Sequence, residues 1–165
     1  MNSVVRTLGP FLIVAAVLCG SAAASTLTAT GHAAAETTAR VGVLSVSYPD
    51  RFGRLDLPHT VLVADYPLSR NSPTMQRGVF PAGGVFFELF REELKPQPSI
   101  PAPAGRFPLR LGSLGRILSR PNGHTWERRF SVQGGVYWVI AWLGKRSSTG
   151  DRATIASVVS SIHPY

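Results

Sequence analysis

Residues Trp126–Leu143 read WERRFSVQGGVYWVIAWL, two β-rich runs on either side of Gly134-Gly135. Gly-Gly supplies the positive φ angles that a two-residue type I′ or II′ turn requires, so the stretch predicts a β-hairpin. With Gly134 and Gly135 as the turn, Gln133 pairs with Val136, Val132 with Tyr137 and Phe130 with Val139. Side chains on a strand alternate between faces with a period of two. One face then carries Trp126, Phe130, Val132, Tyr137, Val139, Ala141 and Leu143 and reads as core, with Arg128 its one misfit. The other carries Glu127, Arg129, Ser131, Trp138, Ile140 and Trp142.

All three tryptophans of the chain lie in this hairpin. Trp138 and Trp142 admit two readings. They are cross-strand packing beneath a loop or helix, or they form an open aromatic face that binds a ligand or partner. Tryptophan and arginine dominate binding patches, and stacked Arg–Trp pairs are favourable. The candidate ligand-binding residues are therefore Trp138, Trp142 and Arg129.

The rest of the chain supplies strands and one helix. Residues 40–48, β-branched and bounded by Pro49, predict a strand, and 50–58 a loop or turn. Residues 59–66 predict a second strand, 67–83 a long connection rich in turn formers, and 84–93 a third strand. That strand holds the one carboxylate cluster, with Glu88 and Glu92 on one face and Glu93 on the other, and reads as a solvated strand end. Five prolines in 94–108 predict an extended crossover. A strand over 114–119 and an Arg120-Pro121-Asn122-Gly123 turn lead into the hairpin. Ile155, Val158, Val159 and Ile162 fall at i, i+3, i+4 and i+7, one stripe of a helix capped by Thr149 or Asp151 and stopped by Pro164. The fold expected is α+β, an antiparallel sheet of about five to six strands with the C-terminal helix packed on the Phe130/Tyr137 face. The opposite face is covered by the two long loops or by nothing.

A chain of 165 residues fits one domain. Arg6, an apolar run from Leu8 to Leu18 and Ala22-Ala23-Ala24 give residues 1–24 the pattern of a signal peptide. Retention as an uncleaved anchor and lipidation at Cys19 are the rival readings. Residues 25–38 read as a flexible lead-in and 39–165 as the domain, placed outside the cytoplasm, secreted or in the cell envelope. Cys19 is the single cysteine, so the domain has no disulfide framework and no thiolate chemistry. The formal charge is +8, from 15 arginines and 2 lysines against 9 acids. Those cations are scattered and no nucleic-acid signature accompanies them, so nucleic acid is not an expected partner. An unknown envelope partner or anionic polymer is. Membrane contact is expected only through the N-terminal segment, if uncleaved.

The sequence has no HExxH, GxSxG, Walker or Rossmann motif. Gly144-Lys145-Arg146-Ser147 mimics the end of a phosphate loop without its leading glycine or spacing. His32, His59, His124 and His163 lack metal-ligand spacing, so no metal and no cofactor are expected. The leading expectation is a non-enzymatic module binding through the aromatic hairpin face. The alternative is a secreted hydrolase near the 67–83 loop, its site assembled from distant residues: a serine, His59 or His124, and Asp65.

The Val-rich first strand, Tyr66-Pro67, Phe80-Pro81-Ala82-Gly83-Gly84-Val85, Phe107-Pro108, the Gly-Gly hairpin and the final Ala/Val helix together resemble small uncharacterised exported proteins of actinobacteria. That resemblance implies export and an α+β fold and no activity. A sheet closed by a C-terminal helix is also similar, at the level of fold, to Mog1/PsbP-like domains.

Overall fold

The computed structural model describes residues 35–93, 101–120 and 122–165. Residues 1–34, on which the signal-peptide reading and most of the lead-in reading fall, lie outside the described residues, as does 94–100 of the proline-rich crossover. The fold is α+β with antiparallel sheets, as expected. The strands are β1 (Glu36–Val41), β2 (Leu44–Pro49), β3 (Gly53–Leu57), β4 (Thr60–Ala64), β5 (Val85–Arg91), β6 (Gly115–Arg120), β7 (Gly123–Val132), β8 (Gly135–Gly144) and β9 (His163–Pro164). The helices are α1 (Pro73–Arg77) and α2 (Thr149–Ser160). A six-stranded sheet runs β3-β4-β5-β8-β7-β6, and a three-stranded sheet runs β1-β2-β9. No helix among the described residues is long and apolar enough to cross a membrane.

The central hairpin is present as β7 and β8, but its turn is Gln133-Gly134, with φ of 46° and 74°. Two positive φ angles are the type I′ pattern, which Gln133 adopts so that Gly135 can begin β8. Val132 pairs with Gly135, Ser131 with Val136 and Phe130 with Tyr137. Moving the turn by one residue moves every cross-strand partner by two, so the two faces keep the residues that alternation assigns them.

Three further expectations are corrected. Residues 40–48 are not one strand but the β1–β2 hairpin, because Gly42 turns the chain with φ of 57°. A Cβ at Gly42 would also strike the Tyr137 hydroxyl. Residues 53–57 are a strand and not a loop. Arg54 and Asp56 point to solvent and pair at 2.9 Å, while Leu55 and Leu57 are half-buried. The lead-in stops earlier than expected: Glu36, Thr37 and Thr38 already pair with Pro49, Tyr48 and Ser47.

The main core lies between the six-stranded sheet and a layer made of α2 with β1 and β2. Phe87, Leu89, Phe130, Tyr137 and Val139 face Val46, Ile155, Val159 and Ile162, all 0% exposed. Full burial of each such aliphatic side chain is worth about 1.5–3 kcal/mol. The Tyr137 hydroxyl accepts a hydrogen bond from Val43 N at 3.1 Å, tying the first hairpin to the central one. Helix α2 is capped by Ser148, whose hydroxyl accepts from Asp151 N while the Asp151 carboxylate accepts from Ser148 N. Pro164 does more than end the helix, since His163 and Pro164 pair with Ser45 and Leu44.

The opposite sheet face carries a second, smaller cluster of Leu62, Ala64, Phe86 and Trp142. Residues 66–80 cover it, packing Tyr66, Leu68, Met75 and Phe80 against it. Ser72 caps α1 before Pro73, and Gly78 ends it in the left-handed region.

Candidate functional site

Trp138 and Trp142 point to the same sheet face but have different fates. Trp142 is 1% exposed, lies across from Phe86 and stacks on Phe80 with ring centroids 4.7 Å apart. It is core beneath the 67–83 connection, so it leaves the set of candidate ligand-binding residues. Trp138, four residues toward the turn, is only half-buried. The antiparallel register sets it between Phe90 of β5 and Arg129 of β7. The Trp138 and Phe90 rings lie nearly parallel, 7° apart with centroids at 6.0 Å.

Arg129 brings charge to the same place. Its Nε donates to Glu92 Oε2 at 2.9 Å; the Arg129 side chain is largely shielded, at 18% exposure, and Glu92 is more open, at 34%. The bond from Arg129, with a lesser one from Trp138, holds the Glu92 carboxyl below the usual carboxylate range. Glu92 N donates to Val136 O, which fixes the chain as it leaves β5. Beside this group lies a cavity of about 300 Å³ lined, among the described residues, by His59, Arg91, Glu92 and Glu93. His59 sits at the β3–β4 turn with φ of 57°, its Nε2 3.9 Å from Glu93 Oε1. The structure thus joins Arg129 to Trp138 and adds Phe90, Glu92 and His59. Phe90 and Glu92 are foreshadowed by alternation along 84–93, but their meeting with Arg129 depends on β5 pairing with β8, which nothing local encodes.

Glu88 is not the solvated strand end expected of it. Across the sheet it stands between Leu62 and Ile140, and along its own strand between Phe86 and Phe90. Burial in that apolar row pushes its carboxyl up from the ordinary 4.5 to about 6. The native state therefore holds this proton more tightly than the unfolded chain, so stability falls as pH rises from about 4.5 to 6. Glu88→Gln is expected to leave stability unchanged near pH 4 and to raise it by roughly 1–2 kcal/mol at pH 7.5. Denaturant unfolding at the two pH values checks this, and parallel curves for variant and wild type would contradict it.

The residues of the hydrolase alternative are kept apart. His59 precedes β4 and Asp65 follows it, so they flank a five-residue strand, about 20 Å apart. Asp65 accepts from Val85 N at 2.8 Å, and burial raises its carboxyl. Leu143 pairs with both His124 and Val85, and Val85 O accepts from Asp65 N, so β5 and β8 lie between Asp65 and His124. That places the two about 14 Å apart, far beyond hydrogen-bond reach. Among the described residues no three His, Cys, Asp or Glu side chains gather as a metal site. Comparison with family models and with curated proteins gives no match to this chain.

Proposed function

We propose that this protein is an exported, envelope-associated, non-enzymatic module that binds a partner through the Trp138 end of its larger sheet. The parallel Trp138–Phe90 stack, flanked by the Arg129–Glu92 pair, carries this reading. A half-buried aromatic surface held rigid by its neighbours loses little side-chain entropy on binding, and an arginine already oriented by a carboxylate adds directional donors. The adjacent cavity of about 300 Å³ gives a partner side chain or sugar unit a place to enter. The signal-like N-terminus supports export, and the scattered excess of arginine suits an envelope rich in anionic polymer.

Co-sedimentation with purified actinobacterial cell walls tests the reading. Trp138→Ala and Arg129→Gln are each expected to weaken retention about tenfold, the loss of one hot-spot contact. Both variants are expected to keep the far-UV spectrum of the wild type. Retention equal to wild type in both folded variants would remove Trp138 and Arg129 as the binding site.

A further inference from the structure

The opposite end of the central hairpin carries a second charged site. From Trp138 and Arg129 it is about five residues along the strands, roughly 17 Å. There β8 ends at Gly144 and the chain turns through Lys145–Ser148 into α2. A cavity of about 270 Å³ opens at this turn, walled by His124 of β7, Lys145, Ser147 and Thr149 of the turn and first helical position, and Arg152 of α2. Three nitrogen side chains from three separate segments thus border one small space. Lys145 and Arg152 are exposed and carry full charge.

The turn is held by its backbone rather than by these side chains. Lys145 N donates to Asn122 O at 2.7 Å, Arg146 N to Ala82 O at 2.7 Å, and Ser147 N to Gly144 O at 3.0 Å. That leaves the side chains of Lys145 and Arg152 available to a ligand on a fixed frame. The carboxylate next to Arg152 in the chain is Asp151, which accepts from Ser148 N at 2.7 Å and from the Ser148 hydroxyl at 2.9 Å. Both bonds fall on its Oδ2 inside the helix cap, and two cations outweigh its single charge. The space is smaller than a drug-sized pocket, and among the described residues Leu143 is the one large apolar group on its wall. Such a site suits a compact oxyanion with several acceptors. Arginine and lysine bind phosphate oxygens through charge-assisted hydrogen bonds.

We infer that the His124–Lys145–Arg152 cavity binds a phosphate group, as free phosphate or as a phosphorylated headgroup. This goes beyond the Trp138 reading and stands without it, because the two sites share no residue.

Phosphorus NMR titration of the whole protein with inorganic phosphate, and its sedimentation with phosphatidylglycerol and phosphatidylcholine vesicles, test the inference. The double variant Lys145→Gln/Arg152→Gln is expected to weaken binding roughly tenfold or more, from two charged hydrogen bonds lost. Arg106→Gln/Arg110→Gln removes the same charge from exposed positions elsewhere and is expected to change binding less than about twofold. Loss of phosphate binding confined to the first variant supports a free-phosphate ligand. Loss confined to phosphatidylglycerol vesicles supports a headgroup. Equal losses in the two double variants, or no binding of either probe by the wild type, would overturn the site. Trp138→Ala is expected to titrate as wild type here, so failure at one site is told apart from failure at the other.

Discussion

Trp142→Ala is expected to destabilise the fold by about 3–5 kcal/mol, the range for deleting a large buried aromatic side chain. That is a large share of the roughly 5–15 kcal/mol that holds a domain folded. Trp142 is 1% exposed and lies between the sheet and Phe80, which also meets Phe86 edge-on at 5.1 Å. Removing the indole leaves Phe80 and the 66–80 cover without a floor, so the cover loosens as well as the core. Among the described residues the indole Nε1 is buried without a hydrogen-bond partner. An unpaired buried donor costs about 1–3 kcal/mol. Trp142→Phe sheds that penalty while keeping most of the ring, and is expected to cost under about 2 kcal/mol. Trp138→Ala loses a stack worth about 0.5–1.5 kcal/mol and little full burial. Urea unfolding of the three variants gives the order Trp142→Ala far below Trp142→Phe and Trp138→Ala. Equal losses for the two alanine variants would mean that Trp138 is core as well.

This separation of two similar tryptophans marks where sequence reading succeeds and where it stops. Alternation along the hairpin puts Trp126, Phe130, Val132, Tyr137, Val139, Ala141 and Leu143 on one face, and all are buried in the main core except Val132, which is half-buried against it. The α2 stripe behaves likewise, with Ile155, Val158, Val159 and Ile162 at 0–1% exposure. Both patterns are local and periodic, and burial follows the period. The missed β1–β2 turn also left a trace: the inward positions run Ala39, Val41, then Leu44, Val46 and Tyr48, a change of phase across Gly42-Val43. Strand β3 left a weaker one, because GRLDL lacks β-branched residues and looks like a turn until Leu55 and Leu57 find Leu62 and Thr60. The fate of the outer face was not legible at all. Whether Phe80 reaches Trp142 depends on how a 17-residue connection folds back, and Glu88 is lifted to about 6 only because β4 and β8 flank it. Arg129 and Glu92 are 37 positions apart and meet through strand order alone.

Gly144→Ala is the second change expected to act strongly, at about 3 kcal/mol, near the upper end of the usual range for overpacking. Added carbon there would meet the Ala82 carbonyl, with the Ala82 carbon at 2.5 Å and Gly84 N at 2.9 Å. These are backbone atoms, so no rotamer change relieves the contact. Nor can the 82–84 segment simply withdraw. Gly144 N donates to Gly84 O at 2.8 Å and Arg146 N to Ala82 O at 2.7 Å, so the clash falls on the bonds that seat the β8 end against the start of β5. Gly83→Ala, one residue from that contact, has nothing within 4 Å of its added carbon. It is expected to be neutral or to stabilise by up to about 1 kcal/mol through the unfolded chain. A gap of about 3 kcal/mol between the two variants in urea unfolding supports the contact, and equal stabilities would mean that the 82–84 segment yields freely. The same displacement shifts Lys145 relative to Arg152, so Gly144→Ala is further expected to weaken phosphate binding with both cations still present. Its phosphate titration, measured well below the unfolding midpoint, separates geometry from charge at that cavity.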